Sequence, residues 1–184
     1  MHEATRWLEH QLSDMEEALA ALVSLNSHSH HREGGQQVVT LLTSLFALEG
    51  LEVERVPSTR FADHLVFRSE GRGAPVALLG HLDTVFPPGT FEGYRVDGPL
   101  RRGPGVLDMK GGLVVVAWAL RSLARTVGLA ALPSLRLVIV SDEEVGSPEG
   151  APLIARTIEG CACALVFESG RANDAIVTER KGTG

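Results

Sequence analysis

Cysteine is almost missing from this chain of 184 residues, which has only Cys161 and Cys163. Two apart in an apolar run, they suit one face of a strand better than an intrachain disulfide, so no disulfide framework is expected. Long apolar runs are also missing. None approaches the ~20 residues of a membrane span, and the charged start Met1–Arg6 lacks a signal peptide's apolar centre, so a cytoplasmic protein is expected. Positive charge is in deficit: 17 Lys and Arg against 23 Asp and Glu leave a formal charge of −6. That balance attracts neither phosphate backbones nor anionic membranes, and it argues against nucleic-acid and membrane partners. Internal repeats, low-complexity tracts and interdomain linkers are absent, while 44% hydrophobic content supports one globular unit.

What is present alternates in period. From Trp7 to Val23, Leu8, Leu12, Met15, Leu19 and Leu22 recur at spacings of four and three, which predicts one amphipathic helix. A polar stretch from Asn26 to Gly35 interrupts it, and Val38, Leu41, Leu42, Leu45 and Leu48 predict a second helix, with Gly50 as a C-cap. The period then shortens to two from Leu51 to Arg55, and short apolar runs at His64–Phe67 and Val76–Leu79 read as strands. Leu113–Leu120 is apolar almost all round and predicts a buried helix running to about Arg125. Leu135–Val140 and Ala162–Phe167 read as strands covered on both faces, with a helix from near Ser147 to Ile158 between them. Asp97-Gly98 suggests a hairpin, and Ala175–Lys181 a last strand. Helices alternating with buried strands predict an α/β domain: a largely parallel central sheet flanked by helices.

The informative feature is where one histidine and several carboxylates fall. Three predicted strands run into Gly80-His81-Leu82-Asp83-Thr84, Ser141-Asp142-Glu143-Glu144 and Glu168. Ligands of open parallel sheets bind beyond the carboxyl ends of the strands. Asp108 joins them from the glycine-rich loop Gly103–Gly112, which leads into the buried helix. One imidazole and several carboxylates without thiolate suit zinc or a similar divalent ion. Without cations such a cluster would be costly, because like charges in a partly dry cleft repel. Taken singly, each element is explained by ordinary hydrogen bonding or a solvated strand end; their order and spacing together favour a metal site.

Gly80–Val85, Gly103–Gly112, Asp142–Ser147 and Phe167-Glu168 resemble, in order, the metal-site motifs of a dinuclear-zinc peptidase and amidohydrolase family. That family includes glutamate carboxypeptidase, acetylornithine deacetylase and succinyl-diaminopimelate desuccinylase. Asn26-Ser27 through Glu33-Gly34-Gly35 and Val177–Gly182 look most like the glutamate carboxypeptidase branch. The resemblance implies a zinc-exopeptidase-like catalytic domain holding two Zn2+ ions. His81 would bind one ion, Asp108 would bridge both, Glu168 would complete the first site and Glu144 would bind the second. Asp83 would hold the His81 ring, and Glu143 would be the general base. The implied reaction is hydrolysis of an amide, releasing a C-terminal amino acid such as glutamate from a small peptide or N-acyl amino acid. Deacetylation or desuccinylation of an N-acyl amino acid is the alternative, and a non-catalytic metal-binding fragment is the reading from another class.

The family pattern also carries a further zinc-binding histidine and an inserted smaller domain that usually forms a homodimer. Neither is found in this sequence. Residues 1–184 are therefore expected to be a truncated catalytic domain, with about 176–184 leading toward the inserted domain, weak or inactive alone and exposing an apolar patch or sheet edge. His28-Ser29-His30-His31 reads as a polar loop rather than an accessory metal site, and Trp7 and Trp118 as helix-packing residues. Gly103–Gly112 fits neither a P-loop nor a dinucleotide fingerprint, since no Ser or Thr follows Lys110 and the glycine spacing is wrong.

Overall fold

The computed structural model describes residues 3–170 and 176–178. Among these residues five α-helices, α1 (Glu3–Leu8), α2 (Leu12–Val23), α3 (Arg32–Leu45), α4 (Lys110–Thr126) and α5 (Gly150–Ile158), accompany seven strands. The strands are β1 (Glu52–Val56), β2 (His64–Ser69), β3 (Val76–His81), β4 (Arg95–Asp97), β5 (Leu100–Arg102), β6 (Leu135–Val140) and β7 (Cys163–Val166). The central sheet has the order β1-β2-β6-β3-β7. β3 pairs parallel with both β6 and β7, whereas β2 runs antiparallel to β1 and β6. The expected largely parallel sheet is thus a mixed one with a parallel centre.

Period-two alternation sorts the side chains into two layers. Leu65, Phe67, Leu135, Leu137 and Ile139 pack with Val38, Leu42, Phe46, Leu113, Ala117 and Trp118 from α3 and α4. Val66, Val138 and Val140 face the other way, onto Leu153 of α5. Both faces are covered, which is why β6 is apolar without a break from Leu137 to Val140. Removing a side chain such as Leu137 or Ile139 from water contributes ~1.5–3 kcal/mol each.

Several boundaries differ from expectation. The first helix is two: Gln11 N–H donates to Leu8 O, closing α1 in a turn before Met15 N–H donates to Gln11 O and opens α2. Leu12 stands at that break and is exposed rather than buried. α3 starts inside the polar stretch, at Arg32, and takes up Gly34 and Gly35. The last strand of the sheet, expected to be covered on both faces, is exposed throughout because β7 is an edge strand paired only with β3 among the described residues. The hairpin at Asp97-Gly98 forms as β4–β5, with Gly98 at φ +57°. The strand expected over Ala175–Lys181 lies largely outside the described residues, and its described part, 176–178, is not in a strand. Both cysteines are free. Among the described residues no helix is long and apolar enough to cross a membrane.

Candidate metal centre

The parallel strands β3, β6 and β7 end on one edge of the sheet, and the candidate residues gather there. His81 is the last residue of β3 and is 1% exposed. Its backbone N–H donates to Met109 Sδ at 3.1 Å. Its Nδ1 lies 3.1 Å from the Asp83 carbonyl and 3.3 Å from Asp83 Oδ1, so that nitrogen carries the proton and Nε2 faces the cleft. Around Nε2 stand Asp108 Oδ1 at 2.9 Å, Glu168 Oε1 at 3.2 Å and Glu143 Oε2 at 3.9 Å.

The hub beneath this cluster is Asp83, as buried as His81. Besides the imidazole, its carboxylate accepts from Ser29 Oγ at 2.6 Å and from the backbone N–H groups of Glu143 at 3.2 Å and Glu144 at 3.1 Å. One side chain at the end of β3 therefore orients the histidine and also the turn after β6 that carries Glu143 and Glu144. Asp108 is delivered separately. Arg101 of β5 makes a two-pronged contact with Glu16 of α2, Nε to Oε1 at 2.6 Å and Nη2 to Oε2 at 2.8 Å, and Tyr94 OH donates to the same carboxylate. The hairpin so held leads into Gly103–Lys110. At the far end of that loop, Lys110 is fully buried and its Nζ donates to the carbonyls of Leu22 and Leu25 at 3.0 and 2.8 Å. Those carbonyls belong to the C-terminal end of α2, where helix acceptors lack partners. The Asp108–Met109 peptide between these anchors is cis.

Charge within the cluster follows this geometry. Burial opposes charge on His81, but hydrogen bonds and Coulomb attraction from Asp83 and Glu168 overcome it and hold the imidazolium up to about 11. Burial raises Glu144 to about 7, with Asp108, Asp83 and Glu143 adding to the rise. Glu143 is raised as well, first by burial and then by Glu168, Asp83 and Asp108, against His81. Glu168 is lowered, chiefly by its hydrogen bond with His81. The acids thus compete for one positive charge.

A metal ion fits this donor set. One ligand atom each from His81, Asp108 and Glu144 lie within 4.8 Å of one another. A nitrogen and carboxylate oxygens without sulfur suit a divalent ion, and the Asp83–His81 pair is the arrangement that fixes the tautomer of a metal-binding imidazole. Four of the residues singled out from the sequence, His81, Asp108, Glu143 and Glu168, meet at the His81 ring. Asp83 braces it from behind, and Glu144 stands on the neighbouring turn. Three supporting residues had no such signal. Ser29 lies in what reads as a polar loop, and Met109 and Lys110 lie in the glycine-rich loop that supplies Asp108. The histidines at 28, 30 and 31 form no metal-ligand group with one another among the described residues. His28 instead bridges to Thr84, and Trp118 packs into the core.

Carboxypeptidase G2 of Pseudomonas sp. (strain RS-16) is 29% identical over 161 residues, covering 85% of this chain and 39% of that protein. Succinyl-diaminopimelate desuccinylase of Xylella fastidiosa (strain 9a5c) is 33% identical over 160 residues, covering 74% and 41%. The crystal structure of human carnosine dipeptidase 1 superposes with a TM-score of 0.77 at 15% identity, covering 92% of this chain and 41% of that one, a likeness of fold. The chain thus spans about 40% of the length of these relatives. Residues 77–179, which include His81, Asp83, Asp108, Glu143, Glu144 and Glu168, match one family throughout, and the chain belongs to that family, the metal-dependent peptidase family M20/M25/M40.

Proposed function

We propose that this chain carries the metal-binding part of a catalytic domain that hydrolyses the amide bond of a small peptide or N-acyl amino acid. The observation that carries the reading is the placement of Glu143. It stands 3.9 Å from His81 Nε2 with half its side chain exposed, beside ligand candidates that surround the same nitrogen. His81, Asp108, Glu144 and Glu168 would hold the metal, two Zn2+ ions by the resemblance, with Asp108 shared between them. When bound, the metal supplies Lewis acidity to the scissile carbonyl and lowers the pKa of water.

Glu143 then has a task its neighbours cannot perform. Carboxylates committed to metal have few lone pairs free, whereas Glu143 can take the proton released from water and return it to the departing amine. Its raised pKa suits both halves of that transfer. Asp83 positions: it keeps the proton of His81 on Nδ1 and holds the peptide groups of Glu143 and Glu144. A relative named carboxypeptidase supports release of a C-terminal amino acid, which the resemblance makes glutamate, and one named desuccinylase supports an N-succinyl substrate.

The test loads the chain with Zn2+ or Co2+ and measures bound metal by equilibrium dialysis alongside hydrolysis of N-acyl glutamate, N-succinyl amino acids and dipeptides. Specific metal that disappears in a His81→Ala, Asp108→Ala double variant and is retained in Glu143→Gln, with the weak hydrolysis expected of these 184 residues abolished by Glu143→Gln, is the expected result. No specific metal, or hydrolysis untouched by Glu143→Gln, would overturn the proposal. Preference for acyl-glutamate over succinyl substrates decides between the two specificities.

A further inference from the structure

β6 ends at Val140, and Ser141 is the last residue before the turn that carries Glu143 and Glu144. The backbone N–H of Ser141 donates to Nδ1 of His64, the first residue of β2, at 3.2 Å. Because Nδ1 accepts, the neutral ring carries its proton on Nε2. His64 is 2% exposed, yet Nε2 has no hydrogen-bond partner among the described residues, and Glu149 Oε2 lies 4.0 Å away. A second buried atom, on the turn itself, also lacks a partner. Asp142 is fully buried, and its Oδ2 accepts from the backbone N–H groups of Glu149 and Gly150 at 2.7 and 2.9 Å, while its Oδ1 has none. Buried polar atoms are nearly always paired, so two without partners around one turn mark a network that is incomplete while the ring is neutral.

We propose that His64 is a positioning residue for Glu143 and Glu144: its neutral ring braces their turn through Ser141, and its charged ring releases it. The inference rests on the roles given to Glu143 and Glu144 above. A second proton on the ring must go to Nδ1, the atom that accepts from Ser141, so the Ser141 N–H loses its acceptor. The new Nδ1–H faces Ser141 Oγ at 3.3 Å, and Nε2–H gains the Glu149 carboxylate as an ionic partner. Movement of Glu149 toward the ring pulls on Asp142, which holds the Glu149 backbone. The carboxylates of Asp142, Glu149, Asp63 and Asp83 attract a charge on the ring; burial outweighs them and keeps His64 below its usual value. The braced state therefore prevails at neutral pH, and release belongs to the acid side.

The experiment is a pH titration of the metal-free 184-residue chain by 15N–1H NMR from about pH 5 to 8, the range over which histidine charge changes. A His64→Gln variant keeps a side-chain acceptor but cannot titrate, and His64→Asn is a second variant should Gln disturb the packing. The expected result is a midpoint below the ordinary histidine value that is shared by the His64 ring and the Ser141, Glu143 and Glu144 amides and missing from the variants, separate from the step at about 7 that the Glu144 carboxyl leaves in all of them. Below it, Glu143 and Glu144 amides should exchange about fivefold faster in the wild type than in His64→Gln, the equivalent of one hydrogen bond. A Ser141 amide that ignores the charge of His64, or Glu143 and Glu144 amides without a step at the His64 midpoint that the variant lacks, would overturn the inference. The titration needs neither metal nor substrate, so a failure of the hydrolase reading would show separately, in the dialysis and hydrolysis assays.

Discussion

Asp83 answers four donors with one carboxylate: the His81 ring, the Ser29 hydroxyl and two backbone N–H groups. Asparagine has the same shape but a single acceptor oxygen, and its amide would turn hydrogens toward donors. Asp83→Asn should leave the chain folded by circular dichroism while weakening metal affinity about 10–100-fold, as loss of a partner to a ligating histidine does elsewhere. Unchanged affinity by equilibrium dialysis would mean that His81 needs no orienting partner. Lys110 sets a second residue-scale expectation. Burial pulls its ammonium down to about 7 in the folded chain, against an ordinary 10.5. Between those values the unfolded chain binds more protons, so stability rises with pH across that window. Melting of the wild type should therefore improve from about pH 7 to 9 relative to Lys110→Met, which has no such proton to lose. Parallel pH profiles for the two proteins would contradict a depressed Lys110.

Among the elements, the join between α4 and the end of β7 is a close one. Gly112, in the first turn of α4, leaves no room for a Cβ, which would meet the Phe167 carbonyl and side chain. Phe167 is followed by Glu168, so the helix and the strand end that carries a candidate ligand touch through a glycine. Gly112→Ala must push backbone rather than a flexible side chain, and overpacking of this kind costs roughly 1–3 kcal/mol. The expected outcome is a lower melting temperature together with weaker metal binding, since Glu168 moves away from His81. A drop in stability with unaltered metal affinity would detach Glu168 from the site. The same lesson explains the boundaries that local pattern missed. Periodicity sees Leu8, Leu12, Met15 and Leu19 as one face, but the turn at Gln11 redirects the chain, and α1 and α2 both pack on α4.

For the molecule as a whole, the two open questions are what neutralises the acidic edge and what happens at the β7 edge. A ligand that binds only the folded chain stabilises it by ~2.7 kcal/mol at a hundred times its dissociation constant. For a chain of this size that corresponds to a rise in melting temperature of about 5–10 °C. Zn2+ should give such a rise in the wild type and not in the His81→Ala, Asp108→Ala variant; equal melting with zinc and with chelator would argue against a site assembled in this chain. At β7, Leu165 and Val166 are 49% and 59% exposed on an edge strand. Exposed apolar edges invite pairing with other chains. Light scattering should show association that grows with concentration and is reduced by Val166→Lys; a monomer at every concentration would mean that this edge is protected.

Much was legible in the residues alone, and for a definite reason. β6 spans Leu135–Val140 as predicted from its apolar and β-branched residues, because a strand covered on both faces needs no polar alternation. His81, Asp83, Glu143, Glu144 and Glu168 could be singled out because they follow apolar strands, and strand ends of an α/β sheet are where ligands bind. Asp108 could be added because a glycine-rich loop precedes a buried helix. Tertiary structure decided the rest, since it depends on residues distant in the chain. Ser29 reaches Asp83 across 54 positions, Lys110 reaches Leu22 across 88, and His64 reaches Ser141 across 77. No local period encodes such contacts. The sequence by itself determined which side chains could form the site and at which edge of the sheet; packing alone decided what holds them in register.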